Sequence, residues 1–471
     1  MNNNHFDILI IGGGSAGYAA ARTAASFDKK VGIVDGAKEL GGLCILKGCM
    51  PSKTLIYSAE LLWHAKQGSK FGLKIKDPQV AMDRLQNRKN MIVNEFAEYR
   101  KNQLNEDRFT LFRSNAKFQD NQNIVLENGT PLSADKFIIS TGSTVQTPPI
   151  PGLRETPHWT SDEILNLDKL PESVIVLGGG VIAIELAQFL NRLGSKVTLL
   201  QRNSFLVKEY STAISEEIKK ALESEGIEIY TACRFNQINS TKDGYSVNLT
   251  LGKENRTILG KNLFNAMGRK PNIESLALEN AEIEVLPSGH IKTNEDQLTT
   301  NPNAYACGDC SGPHEIVHIA IKQGEHAAKH ALGMKSIPVH YENLLTVIFT
   351  DPQIAAIGLC EKQLHERGIQ YLEAVYPFND HGKSILMNAT FGFVKIYADP
   401  KDGALLGAEC VGKDASELIH SMSVAITLKA KASELLKANW YHPTLSEIWE
   451  YPLEELADNC ELNLNQSNLE N

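Results

Sequence analysis

At 471 residues the chain exceeds what one compact core usually holds, so about two to four domains are expected. A hydrophobic share of 42% and a charged share of 22% are those of a water-soluble globular protein. The formal net charge of −9 gives no electrostatic basis for nucleic acid or an anionic membrane surface as partner.

The first element is the apolar run "FDILIIGGG", preceded by only five residues. No signal-peptide pattern is present, and no apolar run approaches the roughly 18 residues of a membrane span. A cytoplasmic location is therefore expected, with no membrane partner. Strand, glycine turn and alanine-rich helix follow one another in "DILIIGGGSAGYAAARTAA", and "KKVGIVD" supplies the next strand. Gly12, Gly14 and Gly17 form G-x-G-x-x-G at that junction, where a pyrophosphate rests on the helix N-terminus. Asp35 stands 23 positions after Gly12, at the end of the second strand, where a carboxylate accepts from ribose hydroxyls.

Next comes "GGLCILKGCMPSK", with Cys44 and Cys49 five positions apart. Eight cysteines over this length are too sparse for a secreted disulfide scaffold, so a close pair reads as catalytic or metal-binding, against buried inert thiols as the alternative. Five helical steps rise about 7.5 Å, whereas bridged cysteines want Cα atoms about 4.4–6.8 Å apart. A bridge would need irregular backbone, which Gly48 and Pro51 suit. Four-ligand zinc sites use closer pairs plus a second pair. None stands nearby, and no metal site is expected.

"QTPPIPGLRETP" (146–157) reads as a linker. "SVIVLGGGVIAIELAQFLNRLG" then repeats the strand–turn–helix plan, and "SKVTLLQ" the strand after it. Two such units predict two doubly wound nucleotide-binding domains. Here the turn is Gly178-x-Gly180-x-x-Ala183, and 23 positions after Gly178 stands Gln201 instead of an acid. Arg202 and Lys208 follow. Cations without a carboxylate suit a 2′-phosphate, so NADPH is favoured over NADH. "GMKSIPVHYENL" (333–344) marks another break, before a block that mixes strands such as "FGFVKIYA" and "LLGAECVG" with the helical "ASELIHSMSVAITLKA". In "WYHPTLSE", His442 precedes Glu447 by five positions. Thiol exchange needs a thiolate, and an imidazole oriented by a carboxylate can take and return the proton.

"GGLCILKGCMPSK" resembles the redox-disulfide motif of the flavoprotein pyridine nucleotide-disulfide oxidoreductases, which include dihydrolipoamide dehydrogenase, glutathione reductase and mercuric reductase. "FIISTGS" (with Gly142), "MGRKPN" (with Gly268), "NAYACGD" (with Gly308), "FTDPQIAAIGL", "LLGAECVGKDASELI" and "YHPTLSE" follow in the family's order. The resemblance implies an α/β fold: two Rossmann-like domains, for FAD and NAD(P), plus a C-terminal α+β dimerisation domain. The expected segments are 1–148 and 276–344 for FAD, 149–275 for NAD(P) and 345–460 for dimerisation, with 461–471 a polar, disordered tail. It implies that Gly12, Gly14, Gly17 and Asp35 bind the ADP half of FAD and that Asp309 holds its ribityl chain. Lys53 would lie near the flavin paired with Glu185, and Val181 would gate the nicotinamide pocket. Cys49 would face the flavin, Cys44 would meet the substrate, and His442 with Glu447 would serve the partner subunit's site in a homodimer. Cys307 and Cys310 of "CGDC" are read as packing residues around the flavin-binding Gly-Asp.

The expected activity is NAD(P)H:disulfide oxidoreduction of the dihydrolipoamide dehydrogenase kind, on a dithiol or disulfide substrate. Mercuric reductases carry a C-terminal vicinal cysteine pair and lack the histidine that His442 matches; this chain ends with a solitary Cys460. Glutathione reductases use an arginine where "KQGEHAA" offers Glu325, although Arg22 matches another of their arginines. "CILKGCM", "NAMGRKPN", Gln201 and the bulky "EIWEYPLEEL" depart from the dihydrolipoamide dehydrogenase pattern and leave open another NADPH-dependent disulfide reductase, or one like mercuric reductase. A non-catalytic flavoprotein subunit would need neither the thiols nor the histidine. Flavin oxidases and transhydrogenases need no second cysteine.

Overall fold

A computed structural model describes residues 4–469, with side chains described through Cys460. The first strand, His5–Ile11, is buried along most of its length, as a central parallel strand covered on both faces must be. It pairs in parallel with Val31–Val34 on one side and Pro131–Ile139 on the other, with Ile8 opposite Val31 and Lys136. Phe109–Phe112 extends one edge, and two antiparallel strands the other. Ala304–Ala306, from much later in the chain, adds beside Pro131–Ile139. The helices Ser15–Ala25 and Val317–Ala331 pack against this sheet. Their contact is close because Gly324 leaves room for the Ala16 carbonyl, which a Cβ would meet at 2.3 Å.

The second unit has a four-stranded parallel sheet built on Ser173–Leu177, Lys196–Leu200, Glu228–Tyr230 and Asn262–Asn265. An antiparallel meander, Cys233–Thr241, Gly244–Leu251 and Glu254–Gly260, is attached to it. The C-terminal unit is a five-stranded antiparallel sheet, running from Leu345–Ile348 at one edge to Leu372–Pro377 at the other. Ala415–Thr427 and the last helix cover it, around a core that includes Trp449, Leu453 and Leu456. This is the α/β architecture expected, with two nucleotide-binding folds and a third, α+β unit.

One difference from the sequence reading concerns local structure. The backbone of residues 461–469 is not a disordered tail. It continues the helix Glu450–Leu469, because a helix already anchored by buried Leu453 and Leu456 extends at low cost through a stretch without Gly or Pro; residues 470–471 lie outside the described ones. Glu325, in "KQGEHAA", is held by an ion pair from Arg22 Nη2 at 2.6 Å.

The second and third units are joined by a buried electrostatic strut. Arg192, 4% exposed, donates to Glu225 and, at 2.8 Å, to Asp351. Gln188 Nε2 donates to the Asp351 carbonyl at 2.7 Å, and Ser211 Oγ to Glu409 at 3.1 Å. Removing one partner of such a pair strands a charge, at a cost of about 3–5 kcal/mol.

Candidate active site

The first glycine turn is shaped by close approach. Gly12 has φ +107° and passes so near the Ser140 carbonyl that a Cβ would sit 2.4 Å from its oxygen. Gly17 has no room either, with the Gly12 carbonyl at 1.9 Å from where a Cβ would be. Asp35 accepts from the Gly13 amide at 2.8 Å and from the Ala37 amide at 2.9 Å, so its carboxylate is fixed at the strand end. These residues open onto a cavity of about 910 Å³, lined further by Lys38, Ser140, Gly142 and Lys89. Such a cradle, with free amides, glycines and an anchored carboxylate, fits the adenosine and pyrophosphate of a dinucleotide.

A smaller adjoining cavity is lined by Gly14, Cys44, Cys49, Gly142, Gly308, Asp309 and Glu315. Ser143 Oγ donates to Asp309 at 2.6 Å, and Arg269 Nε donates to Ser143 Oγ at 2.8 Å. Nothing in the sequence singled out Ser143, Arg269 or the buried Lys89, because each acts through partners distant in the chain.

Both cysteines are free thiols here. Cys44 lies in the short helix Gly42–Leu46 and Cys49 opens the helix Cys49–Lys66. The two helices are separated at Gly48, with φ −131° and ψ −117°, so the backbone between the sulfurs is irregular. Cys49 is pulled down to about 6, chiefly by the hydrogen bond from Cys44; burial opposes this and the Lys53 charge assists it. Cys44 is pushed well up by that same bond and by burial. Both shifts run the same way, favouring the proton on Cys44 and the negative charge on Cys49.

Lys53, one turn along the same helix, meets Glu185 Oε2 at 2.9 Å. Glu185 is nearly fully buried and also accepts from the Phe349 amide at 2.8 Å. Val181 begins the helix Val181–Leu193 and is 39% exposed. The second glycine turn repeats the first: Gly178 has φ +115°, and a Cβ there would lie 2.6 Å from the Ala266 carbonyl. Gly180 faces open space. Gln201 occupies the place of Asp35, but its side-chain oxygen accepts from the Arg202 amide at 2.9 Å. Arg202 is exposed and makes no ion pair among the described residues, while Lys208 pairs only with neighbouring Glu209, at 3.4 Å. Gly268 and Gly308 both take positive φ, at +108° and +75°.

His442 and Glu447 lie on the third unit. His442 Nδ1 is 3.0 Å from the Glu447 carboxylate, which is buried, whereas the imidazole is 75% exposed. Among the described residues no hydrogen bond joins His442 to either thiol of the same chain. Cys307 and Cys310 are fully buried, and burial pushes both thiols up, Cys310 to about 11. One group of possible metal ligands, Glu60, His64 and Asp351, is described. The Lys413 ammonium already ion-pairs with Glu60 there, so the charge is balanced.

Residues 6–324 match the family model described as pyridine nucleotide-disulphide oxidoreductase, and residues 344–452 match the dimerisation domain of that family. A mercuric reductase of Bacillus cereus is 34% identical over 94% of this chain and 70% of its own length. A dihydrolipoyl dehydrogenase of Thermus scotoductus is 32% identical over 94% of this chain and 95% of its own. Among solved structures, the Cu(II) complex of the HOCl-induced flavoprotein disulfide reductase RclA from Escherichia coli superimposes with a TM-score of 0.85 at 26% identity, over 96% of this chain and 99% of that one. The family couples FAD to a pyridine nucleotide, and no described helix is long and apolar enough to cross a membrane. This chain belongs to the pyridine nucleotide-disulphide oxidoreductase family, and it is an oxidoreductase.

Proposed function

We propose that the protein is a flavin-dependent, NADPH-consuming thiol–disulfide oxidoreductase, whose site chemistry is of the dihydrolipoamide dehydrogenase kind. The observation that carries this reading is the pair of free thiols, Cys44 and Cys49, side by side at the cavity wall, with a histidine–carboxylate dyad on the same chain. Gly12, Gly14, Gly17, Asp35, Gly142, Gly308 and Asp309 would hold FAD, which supplies two-electron transfer between nicotinamide and sulfur. Gly178, Gly180, Arg202 and Lys208 would hold NADPH, with Val181, Glu185 and Lys53 at the nicotinamide end and Gly268 at the rim.

The residue chemistry then balances without further reagents. His442 of the partner subunit takes the Cys44 proton, and the Cys44 sulfur attacks a substrate disulfide, releasing one thiolate that receives this proton. Cys49, already ionised, attacks the Cys44 sulfur, closes the Cys44–Cys49 bond and releases the second thiolate, which is protonated by solvent. The substrate gains two electrons and the pair loses two. Attack needs a thiolate, which the imidazole makes of Cys44 on demand, while the depressed value at Cys49 keeps the second nucleophile ionised near neutral pH.

Reduction of a metal ion is the second reading, drawn from the mercuric reductase relatives. Against it stand the His442–Glu447 dyad, which a metal-ion acceptor does not need, and a buried Cys460. The test is a rate panel of NADPH and NADH against lipoamide, glutathione disulfide and mercuric ion, with Cys44→Ser beside the parent. Turnover of a disulfide with NADPH, lost in Cys44→Ser while flavin absorbance stays, is the expected result. Turnover of mercuric ion alone, or full disulfide activity in Cys44→Ser, would overturn the proposal.

A further inference from the structure

Glu447 has a second imidazole. His381, in the turn after the strand Leu372–Pro377, is wholly buried, and its Nε2 lies 3.3 Å from Glu447 Oε1. The contact is off the line of a regular hydrogen bond, and Nε2 has no other polar partner. On the opposite side of the ring, Nδ1 lies 2.8 Å from Ser384 Oγ. In the tautomer in which the Ser384 hydroxyl donates to Nδ1, the ring proton sits on Nε2, the nitrogen on the Glu447 side of the ring. Burial, the largest influence, lowers the basicity of His381; the Glu447 carboxylate opposes this, and the nearby His442 adds to it, with a net shift toward the uncharged ring.

The packing around this contact is specific. Tyr451 meets His381 edge-on, with centroids 6.4 Å apart, and its other neighbour is Tyr376, stacked at 4.0 Å. Tyr376 in turn donates to the Asp380 carbonyl at 3.0 Å. Glu450 and Glu454 add further negative charge to this region: after burial, they and Glu447 hold the Tyr451 hydroxyl above its ordinary value, and Glu454 and Glu447 do the same to the Glu450 carboxyl. At Gly382, a Cβ would reach the His442 ring at 4.0 Å, so the turn carrying His381 also abuts the exposed imidazole. The bulky "EIWEYPLEEL" segment, which sets this sequence apart, is what walls in the arrangement.

We propose that His381 is a positioning residue: a buried imidazole that pins the Glu447 carboxylate and shares its charge, so that His442 is oriented by a carboxylate with two imidazole partners instead of one. The inference rests on the His442 role assigned under the proposed function. Without the His381 donor, all of the Glu447 charge faces His442, whose cationic form is then over-stabilised and whose return of the proton is slowed.

Three variants separate position from bulk. His381→Phe keeps the ring and removes the donor. His381→Asn keeps a partner for Ser384 and cannot reach Glu447. His381→Gln places an amide donor where Nε2 stood. The first readout is the pH dependence of diethylpyrocarbonate modification of the His442 peptide, which needs no substrate; buried His381 is protected. The second is kcat for the disulfide found active in the rate panel. Phe and Asn variants should move the His442 modification midpoint to higher pH and slow disulfide turnover by about tenfold, a part of the roughly 10²–10⁴ that general acid–base catalysis supplies. Reduction of the bound flavin by NADPH should be unchanged, and Gln should restore both the midpoint and kcat. Midpoints that coincide with the parent in Phe and Asn, or a Gln variant that behaves as Phe, overturn the inference. A shifted midpoint in a protein that turns over no disulfide would sustain the His381 assignment and sink the proposed function instead.

Discussion

One proton shared between two sulfurs sets the reactivity of the pair. Hydrogen bonding with Cys44 is the main cause of the low value of about 6 at Cys49, ahead of the Lys53 charge. Reduced protein should therefore show thiolate absorbance appearing with a midpoint near pH 6. Cys44→Ala should move that midpoint upward further than Lys53→Met does; the reverse order would mean that the lysine, not the neighbouring thiol, controls the anion. The sign of the stability effect follows. A depressed folded value stabilises the fold fully above the ordinary thiol value of 9.0, and that contribution is lost as pH falls through about 6. Cys44 moves the opposite way, so its contribution is present below 9.0 and lost above. Between these limits both favour the folded, reduced protein. Spacing and flanking glycines made the pair visible in the sequence. Which sulfur keeps the proton depends on a break at Gly48 and a lysine one turn on, and no spacing rule encodes that.

At the scale of elements, the two glycine turns invite comparison, because the chain uses one plan twice. In the first, Gly13 makes room for Asp35, whose oxygen stands 2.8 Å from where a Cβ would be; in the second, Gly179 makes the same room for Gln201. Gln201 spends its carbonyl on the Arg202 amide, which leaves no carboxylate to accept from a ribose and a free guanidinium beside the turn. Arg202→Glu should raise KM for NADPH by about tenfold or more, as loss of a charged hydrogen bond worth about 1.5–3 kcal/mol requires, with little change for NADH. Equal losses for the two nucleotides would count against a phosphate site. Strands and helices of both turns could be read directly, since apolar runs and glycines coincide there. The meander of residues 233–260 could not: Glu254–Gly260 is largely exposed, so no alternation of apolar residues marks it. Nor could the last helix, whose final turns are polar and grow from a core anchor 13 residues before Leu469, at Leu456.

For the whole molecule, the exposed His442 and the buried Glu447 behind it make sense if the imidazole serves a second copy, through the dimerisation domain of residues 344–452. Cys44→Ser and His442→Gln should each be inactive alone. Co-expressed and isolated as a mixed dimer, they should recover about half of the parental rate, because one of two sites then unites an intact thiol with an intact histidine. A mixed dimer without activity would place thiol and histidine in one chain's own site. Of this arrangement the sequence carried the histidine, the acid five residues on and the order of motifs. It did not carry His381, which meets Glu447 only because a strand-end turn and a C-terminal segment 66 positions apart fold together.

The Arg192 strut also bears on how the catalyst moves. With Glu225 and Asp351 clasped across the seam, and Glu185 bonded to the Phe349 amide, the nicotinamide-side lobe is clamped to the unit that presents the histidine. Contacts of this kind oppose independent swings of the two units, motions that elsewhere run on microseconds to milliseconds.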